Sequence, residues 1–250
     1  MAKAAYIGID GKARKVKNIY IGVDDKARKV KKGYIGVNGI ARLFFDANAG
    51  RLCEWVETTL PSSANWRSIT YGNDKFVAIS TTSNKAGYSA DGIKWTATTL
   101  PFSGDWYEVT YGNDRFLSSA YGNHIAYSTA GVTWSSISLP SSSYWYSVTY
   151  GNDKFVVVAG NTSTNKAAYS KTGTSWTAIT LPTSARWRSV TYGNDKFVAV
   201  ATKSDKSIYS TDGITWTAAT LPLSAEWRAL LMATINLLQW HSVATKRLTV

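Results

Sequence analysis

The sequence predicts an all-β chain whose main part is a β-propeller of four-stranded blades, each about 40 residues long. Three observations predict it. The phrase WRSVTYGNDKFVAVA at Trp187 returns nearly unchanged at Trp66, Trp106 and Trp145. Leu-Pro pairs begin at Leu60, Leu100, Leu139, Leu181 and Leu221, at spacings of 40, 39, 42 and 40. Between the turn residues the apolar positions alternate with a period of two, and β-branched and aromatic residues dominate, which fits strands and not helices. A unit of this length cannot bury both faces alone, so stacking repeated units around an axis is the economical solution.

Residues 1–46 follow a different rhythm. YIGIDGKARKVK at Tyr6, YIGVDDKARKVK at Tyr20 and YIGVNGIARLFF at Tyr34 repeat every 14 residues. Each has a short β-rich run, an Asp-Gly, Asp-Asp or Asn-Gly turn, and a second alternating run. Asp-Gly and Asn-Gly tolerate the positive φ of tight hairpins, so three small hairpins are expected. This segment holds 11 Lys/Arg against 4 Asp/Glu, and the remaining 204 residues hold 17 against 12, so most of the net charge of +12 is local to it. Alternation puts Lys12 and Arg14, and Lys26 and Arg28, on one face. That face suits nucleic acid or an anionic surface. Equally, it is what solvated strands need to discourage unwanted edge pairing.

DANAG, 46–50, is the joint, and the propeller repeats fill 47–228. One unit reads as four short strands with a turn after each: W-x-S-V-T-Y, a Gly-Asn-Asp turn, F-V-A-V-A, a polar tip of variable length, K-A-A-Y-S, a second turn, and W-T-A-x-T-L-P. Four full units are present. RLCEWVETTLP, 51–61, is the end of a unit whose start is missing.

The segment Tyr88-Ser89-Ala90-Asp91-Gly92-Ile93-Lys94-Trp95 and its copy from Tyr209 to Trp216 resemble the Asp-box of BNR, or sialidase-like, propellers. This version is one residue shorter, and two units carry Ala130-Gly131 and Thr172-Gly173 instead. In that family the box is structural, which implies turn-forming roles for Asp91 and Asp212. The N-terminal phrases and the repetitive β domain together also resemble tail-associated proteins of phages and prophages of Gram-positive bacteria. That resemblance implies a place on a virion, extracellular after lysis, with the N-terminal segment joined to other tail proteins.

The fifth phrase starts at Trp227 and dissolves into WRALLMATINLLQWH. The genetic code offers a reason. With one base lost in the codon after Arg228, synonymous codons for residues 229–250 re-read in frame as VTYGNDKFVAVAFSCNKAAYS, the missing repeat. Residues 229–250 are therefore expected to be an out-of-frame tail. The lost strands and residues 51–61 would have formed one composite fifth blade; a ring of six or seven cut short is the alternative. An open blade edge would favour association between copies.

Composition narrows the chemistry. One cysteine, Cys53, and two histidines, His124 and His241, supply neither a metal cluster nor a nucleophile–His–acid set. No metal or cofactor is expected. No run approaches the eighteen apolar residues of a membrane span. The N-terminus lacks the apolar core of a signal peptide. A sialidase-type hydrolase would need an arginine cluster and placed acids, but the arginines sit at repeat-equivalent positions, and Asp105 and Glu108 are the only unit-specific acids close together. No enzymatic activity is expected. The tryptophans that open each unit could serve as ligand platforms, but every unit has one, so packing between blades is their expected role. The residues beside them vary: Asn65/Arg67, Asp105/Tyr107, Tyr144/Tyr146, Arg186/Arg188 and Glu226/Arg228. Arg67, Tyr107, Tyr144, Tyr146 and Arg188 are the candidate ligand-binding residues, suited to stacking and polar recognition of a bacterial surface glycan or protein. The reading is a phage-tail adhesion module, with a structural spacer of the virion as the alternative.

Overall fold

The computed structural model describes residues 57–160 and 162–228 in full, together with the backbone of the strands within 5–46 and 229–241. All the regular structure among these residues is β. The chain divides into two compact units, Met1–Leu60 with Asp91–Trp95, and Pro61–Ala90 with Thr96–Val250.

In the first unit, β1 (Ala5–Ile9) pairs antiparallel with β2 (Lys12–Val16), β3 (Tyr20–Val23) with β4 (Lys26–Lys29), and β5 (Lys32–Val37) with β6 (Ile40–Asp46). The three ladders share one register, setting Gly8 opposite Ala13, Gly22 opposite Ala27 and Gly36 opposite Ala41. The expected basic face of Lys12, Arg14, Lys26 and Arg28 concerns side chains outside the described residues. In Asp91–Trp95, Asp91 Oδ1 accepts the backbone N–H groups of Ile93 and Lys94, both at 2.8 Å, and Gly92 takes a φ of 73°. The carboxylate thus holds a turn.

The second unit carries the long repeat. Its first sheet is β7 (Asn65–Gly72), β8 (Lys75–Thr81), β9 (Ser83–Ser89) and β10 (Thr96–Gly104), paired in sequence order. Next come β11 (Trp106–Gly112), β12 (Arg115–Ser128), β13 (Ser135–Gly151), β14 (Lys154–Ala159), β15 (Thr164–Ser170) and β16 (Thr177–Ala185). These six form one continuous ladder, because β13 ends one repeat and begins the next. The last sheet is β17 (Trp187–Gly193), β18 (Lys196–Ser210), β19 (Thr217–Ala233) and β20 (Asn236–His241). The sequence places a turn after every strand and polar loops at the tips. The structure differs: β12 and β18 run through the tips, turning on single positive-φ residues, Gly122 at 104° and Lys203 at 51°. The Leu-Pro pairs at Leu100, Leu139, Leu181 and Leu221 also lie within strands. There the register slips, for example between Thr99 and Gly104 opposite Lys85 and Ser83, so the proline needs no ladder partner.

The repeated phrase can be explained residue by residue. Asn and Asp of each Gly-Asn-Asp take φ between 42° and 57°, both central positions of a tight hairpin turn closed by pairs such as Gly72–Lys75. The glycine has a second reason. A Cβ on Gly72, Gly112 or Gly151 would stand 2.0–2.1 Å from the ring of Tyr111, Tyr150 or Tyr192 in the following repeat. The asparagine amide donates across to the next repeat, Asn73 to the Thr129 carbonyl at 3.3 Å and Asn113 to that of Lys171 at 3.1 Å. The serine clips neighbours together: Ser68 Oγ accepts Val109 N–H at 3.1 Å, and Ser147 Oγ accepts Val190 N–H at 2.9 Å. Trp106, Trp145, Trp187 and Trp227 are buried, each indole donating to a backbone carbonyl. Trp106 packs with Val77 and Ile79 of the preceding repeat, and Trp187 with Val156 and Val158. They build the core and present no face to a ligand.

The backbone of β20 pairs with β19 in the register of the intact repeats: Trp227 faces His241 as Trp187 faces Ala201, and Ala233 faces Asn236 as Gly193 faces Lys196. The tail therefore supplies a strand where the phrase would have supplied one. Residues 51–56 of the expected composite blade and 242–250 of the tail lie outside the described residues.

Candidate functional site

The site grows out of a recurring irregularity in the inner strand of each repeat. Pairing slips immediately after each opening tryptophan: Trp66/Ser68, Trp106/Glu108, Trp145/Ser147 and Trp187/Ser189. The skipped residue is the bulge, and a bulge re-aims its side chain away from the ladder. Those residues are Arg67, Tyr107, Tyr146 and Arg188. Because inner strands β7, β11, β13 and β17 stand side by side in that order, four bulges in four repeats bring four side chains together.

They line one open cavity of about 290 Å³, completed by Gly160, Arg186 and Thr202. The Tyr107 and Tyr146 rings sit 4.6 Å apart, tilted by 58°. Arg188 Cζ lies 4.4 Å from the Tyr146 ring centroid, and Arg67 Cζ lies 5.9 Å from that of Tyr107. The result is a row of arginine, tyrosine, tyrosine, arginine held by cation–π and ring contacts. Tyr144 does not line the cavity. It stacks on Tyr121 at 4.3 Å and reaches Tyr146 at 6.1 Å, backing the row from outside.

The electrostatics are lopsided toward positive charge. Burial pulls the Arg188 guanidinium below its usual range, and the positive charge of Arg67 pulls the same way. Burial raises the Tyr107 hydroxyl well above its ordinary range, and neighbouring Tyr146 and Asp105 add to this. Arg228 is engaged elsewhere, with Glu226 at 3.1 Å, and Lys203 meets the same carboxylate at 3.5 Å. Among the described residues, no acid pairs with Arg67, Arg186 or Arg188.

Glu108 is a feature that the sequence flagged only as a unit-specific acid. It occupies the clip position that is Ser68, Ser147 and Ser189 in the other repeats, and its Oε2 accepts Val148 N–H at 2.9 Å. Desolvation pushes its carboxyl from 4.5 up to about 7, against the lowering effect of hydrogen bonds from Ser147 and Val148 and the charges of Arg188 and Arg67. Gly160 and Thr202 carried no sequence signal, whereas Arg186 is one of the varying neighbours of the opening tryptophans. Gly160 follows β14, Arg186 sits between β16 and β17, and Thr202 lies in β18, and the fold brings all three to the rim. Among the described residues, no three His, Cys, Asp or Glu side chains gather as metal ligands, and no helix is long and apolar enough to cross a membrane.

The successive antiparallel sheets make an all-β fold, and the solved structures it is similar to are β-propellers. The chain is similar to a virginiamycin B lyase from Staphylococcus aureus, with a TM-score of 0.71 at 17% identity over 95% of this chain and 91% of that one. A catalytically inactive variant of that lyase, with quinupristin, gives 0.71 at 20% identity over 96% and 82%. YCF48 bound to D1 peptide gives 0.59 at 16% identity over 83% and 70%. No protein-family model matches the chain, and no curated protein matches its sequence. At these identities the likeness shows the fold. It nonetheless corrects one expectation. The sequence reading assigns no enzymatic activity, whereas solved propellers of this form include a lyase. Shortage of histidine and cysteine is thus no ground for excluding catalysis, because one fold hosts many chemistries.

Proposed function

We propose that this chain is a surface-recognition module of a phage or prophage tail, and that its cavity receives part of a bacterial surface glycan. One observation carries the reading: four bulge positions, the ones that vary in otherwise fixed phrases, converge as two tilted tyrosines in ring contact between two arginines. Tyrosine faces suit the apolar C–H faces of sugar rings, and guanidinium groups suit hydroxyl and acidic substituents. The 14-residue repeats of 1–46, similar as strings to those of tail proteins, would fasten the module to other tail proteins. The propeller itself would be of five blades, the fifth composite. The place of action would be the virion, outside the cell after lysis.

A second reading has its own support. YCF48 is seen bound to D1 peptide, and the same arginines and tyrosines suit an acidic or aromatic peptide segment. Screening the full chain against glycans, host-cell surfaces and a peptide library tests both. Binding to glycans and cells, lost in Tyr107→Ala and Tyr146→Ala, is the expected result. Binding to peptides alone supports the second reading, and no binding at all leaves the spacer role.

A further inference from the structure

We infer that the cavity is selective for an anionic group, a carboxylate or phosphate, held by Arg67 and Arg188 while Tyr107 and Tyr146 stack the ring that bears it. This rests on the glycan reading and names the chemical class of the ligand. Three observations carry it. First, three arginines line one cavity and, among the described residues, none has an acidic partner. Placing three like charges together with no ion-paired acid is costly, and the cost is relieved when an anion enters. Second, among the described residues no nearby acid forms an ion pair with these arginines. Glu226 holds Lys203 and Arg228. Glu108 points its Oε2 at Val148 N–H in the seam between repeats, and its charge reaches Arg188 and Arg67 without pairing with either, so the cavity keeps an excess of positive charge. Asp105 acts on Tyr107 and Tyr144 and forms no ion pair among the described residues. Third, the arginines are posed, not free. Arg188 lies over Tyr146 and Arg67 over Tyr107, so the planar guanidinium groups are pre-oriented by the rings that would stack the ligand. Pre-orientation lowers the entropy lost on binding, and the fork of N–H donors matches carboxylate and phosphate oxygens.

Isothermal titration of the full chain decides the matter with three probes of equal length: a neutral oligosaccharide, one bearing a uronate carboxylate, and one bearing a phosphate ester. Both acidic probes are expected to bind at least ~10-fold tighter than the neutral one, and more weakly as salt rises from about 50 to about 500 mM. Their ratio tells which anion the site prefers. Arg188→Ala should cost the acidic probes ~10–100-fold and the neutral probe little, and Arg188→Lys, which keeps the charge without the fork, should fall between. The lysine variant guards against misfolding, since it keeps a long cationic side chain where the Arg188 guanidinium lies over Tyr146. Neutral and acidic probes of equal affinity, or equal losses for both in Arg188→Ala, overturn the inference and leave glycan recognition standing. Failure of all three probes, with host-cell binding also absent, overturns both.

Discussion

Replacing Glu108 by glutamine isolates an ionisable group that stands where the other described repeats carry serine. Three repeats place serine in the clip, while this one places a part-buried carboxyl that accepts Val148 N–H. Its affinity for a proton is raised on folding, from 4.5 to about 7. The folded chain therefore holds this proton more tightly than the unfolded chain does. Below pH 4.5 both states carry it and folding is not penalised. Between 4.5 and about 7 the unfolded chain ionises first, and stability falls. Above about 7 the penalty is complete. At ~1.4 kcal/mol for each tenfold change in proton affinity, the ceiling is ~3.5 kcal/mol; Glu108 retains some solvent contact, so about 1–3 kcal/mol is expected. Glu108→Gln keeps an oxygen acceptor for Val148 and cannot ionise. Urea unfolding at pH 5 and pH 8 reads the difference. The variant should gain about 1–3 kcal/mol over the parent at pH 8 and less than ~1 kcal/mol at pH 5. Because the other titrating groups are common to both chains, the difference between them reports on Glu108. Equal pH dependence in the two proteins would refute the assignment of a desolvated carboxyl to the clip.

Three further outcomes follow from the packing. Gly112→Ala forces a Cβ within 2.1 Å of the Tyr150 ring, so thermal unfolding should show a loss of about 2–4 kcal/mol. Asp212→Ala removes the acceptor of two backbone N–H groups, Ile214 and Thr215, both at 2.8 Å, and should cost about 1–2 kcal/mol; although burial raises the Asp212 carboxyl, the hydrogen bonds outweigh it and hold the group below its ordinary range, so this contribution should fade as pH drops through that lowered value. Restoring SVTYGNDKFVAVA after Arg228 should raise the melting temperature, since β20 already occupies the paired register, and sequencing the gene should show codons that re-read as the repeat; codons that cannot would end the frameshift explanation.

Much of the architecture was legible in the sequence because the repeat states it four times. The Gly-Asn-Asp phrase encoded a hairpin through residues that tolerate positive φ, and Asp91 and Asp212 encoded turns through short side chains that reach backbone N–H groups. The tryptophans were legible as core because all units share them, and Trp106, Trp145, Trp187 and Trp227 are buried while Trp66, in the first unit, is half-buried. The continuous strands through the tips and Leu-Pro segments were not legible, since proline and polar residues normally end strands, and here register slips accommodate them. Variation beside the tryptophan named Arg67, Tyr107, Tyr146 and Arg188. It also named Tyr144, which the fold sets behind the row, because alternation across a bulge does not reveal which neighbour turns inward. Arg186 was named only as a varying flank, and Gly160 and Thr202 enter the cavity from the end of β14 and from β18, where no local pattern announces a contact made between repeats. The exclusion of enzymatic activity rested on the scarcity of histidine, cysteine and suitably placed acids and on the repeat-equivalent arginines, which says little about a fold whose solved examples include a lyase.

Co-sedimentation of the full chain with purified bacterial cell-wall fragments, run beside Tyr146→Ala and a Tyr121→Ala control outside the cavity, tests the central claim most directly. Recognition through the cavity predicts that the parent and Tyr121→Ala sediment with the fragments and that Tyr146→Ala, folded by its melting curve, stays in solution. Retention of Tyr146→Ala at the parent's level would contradict it.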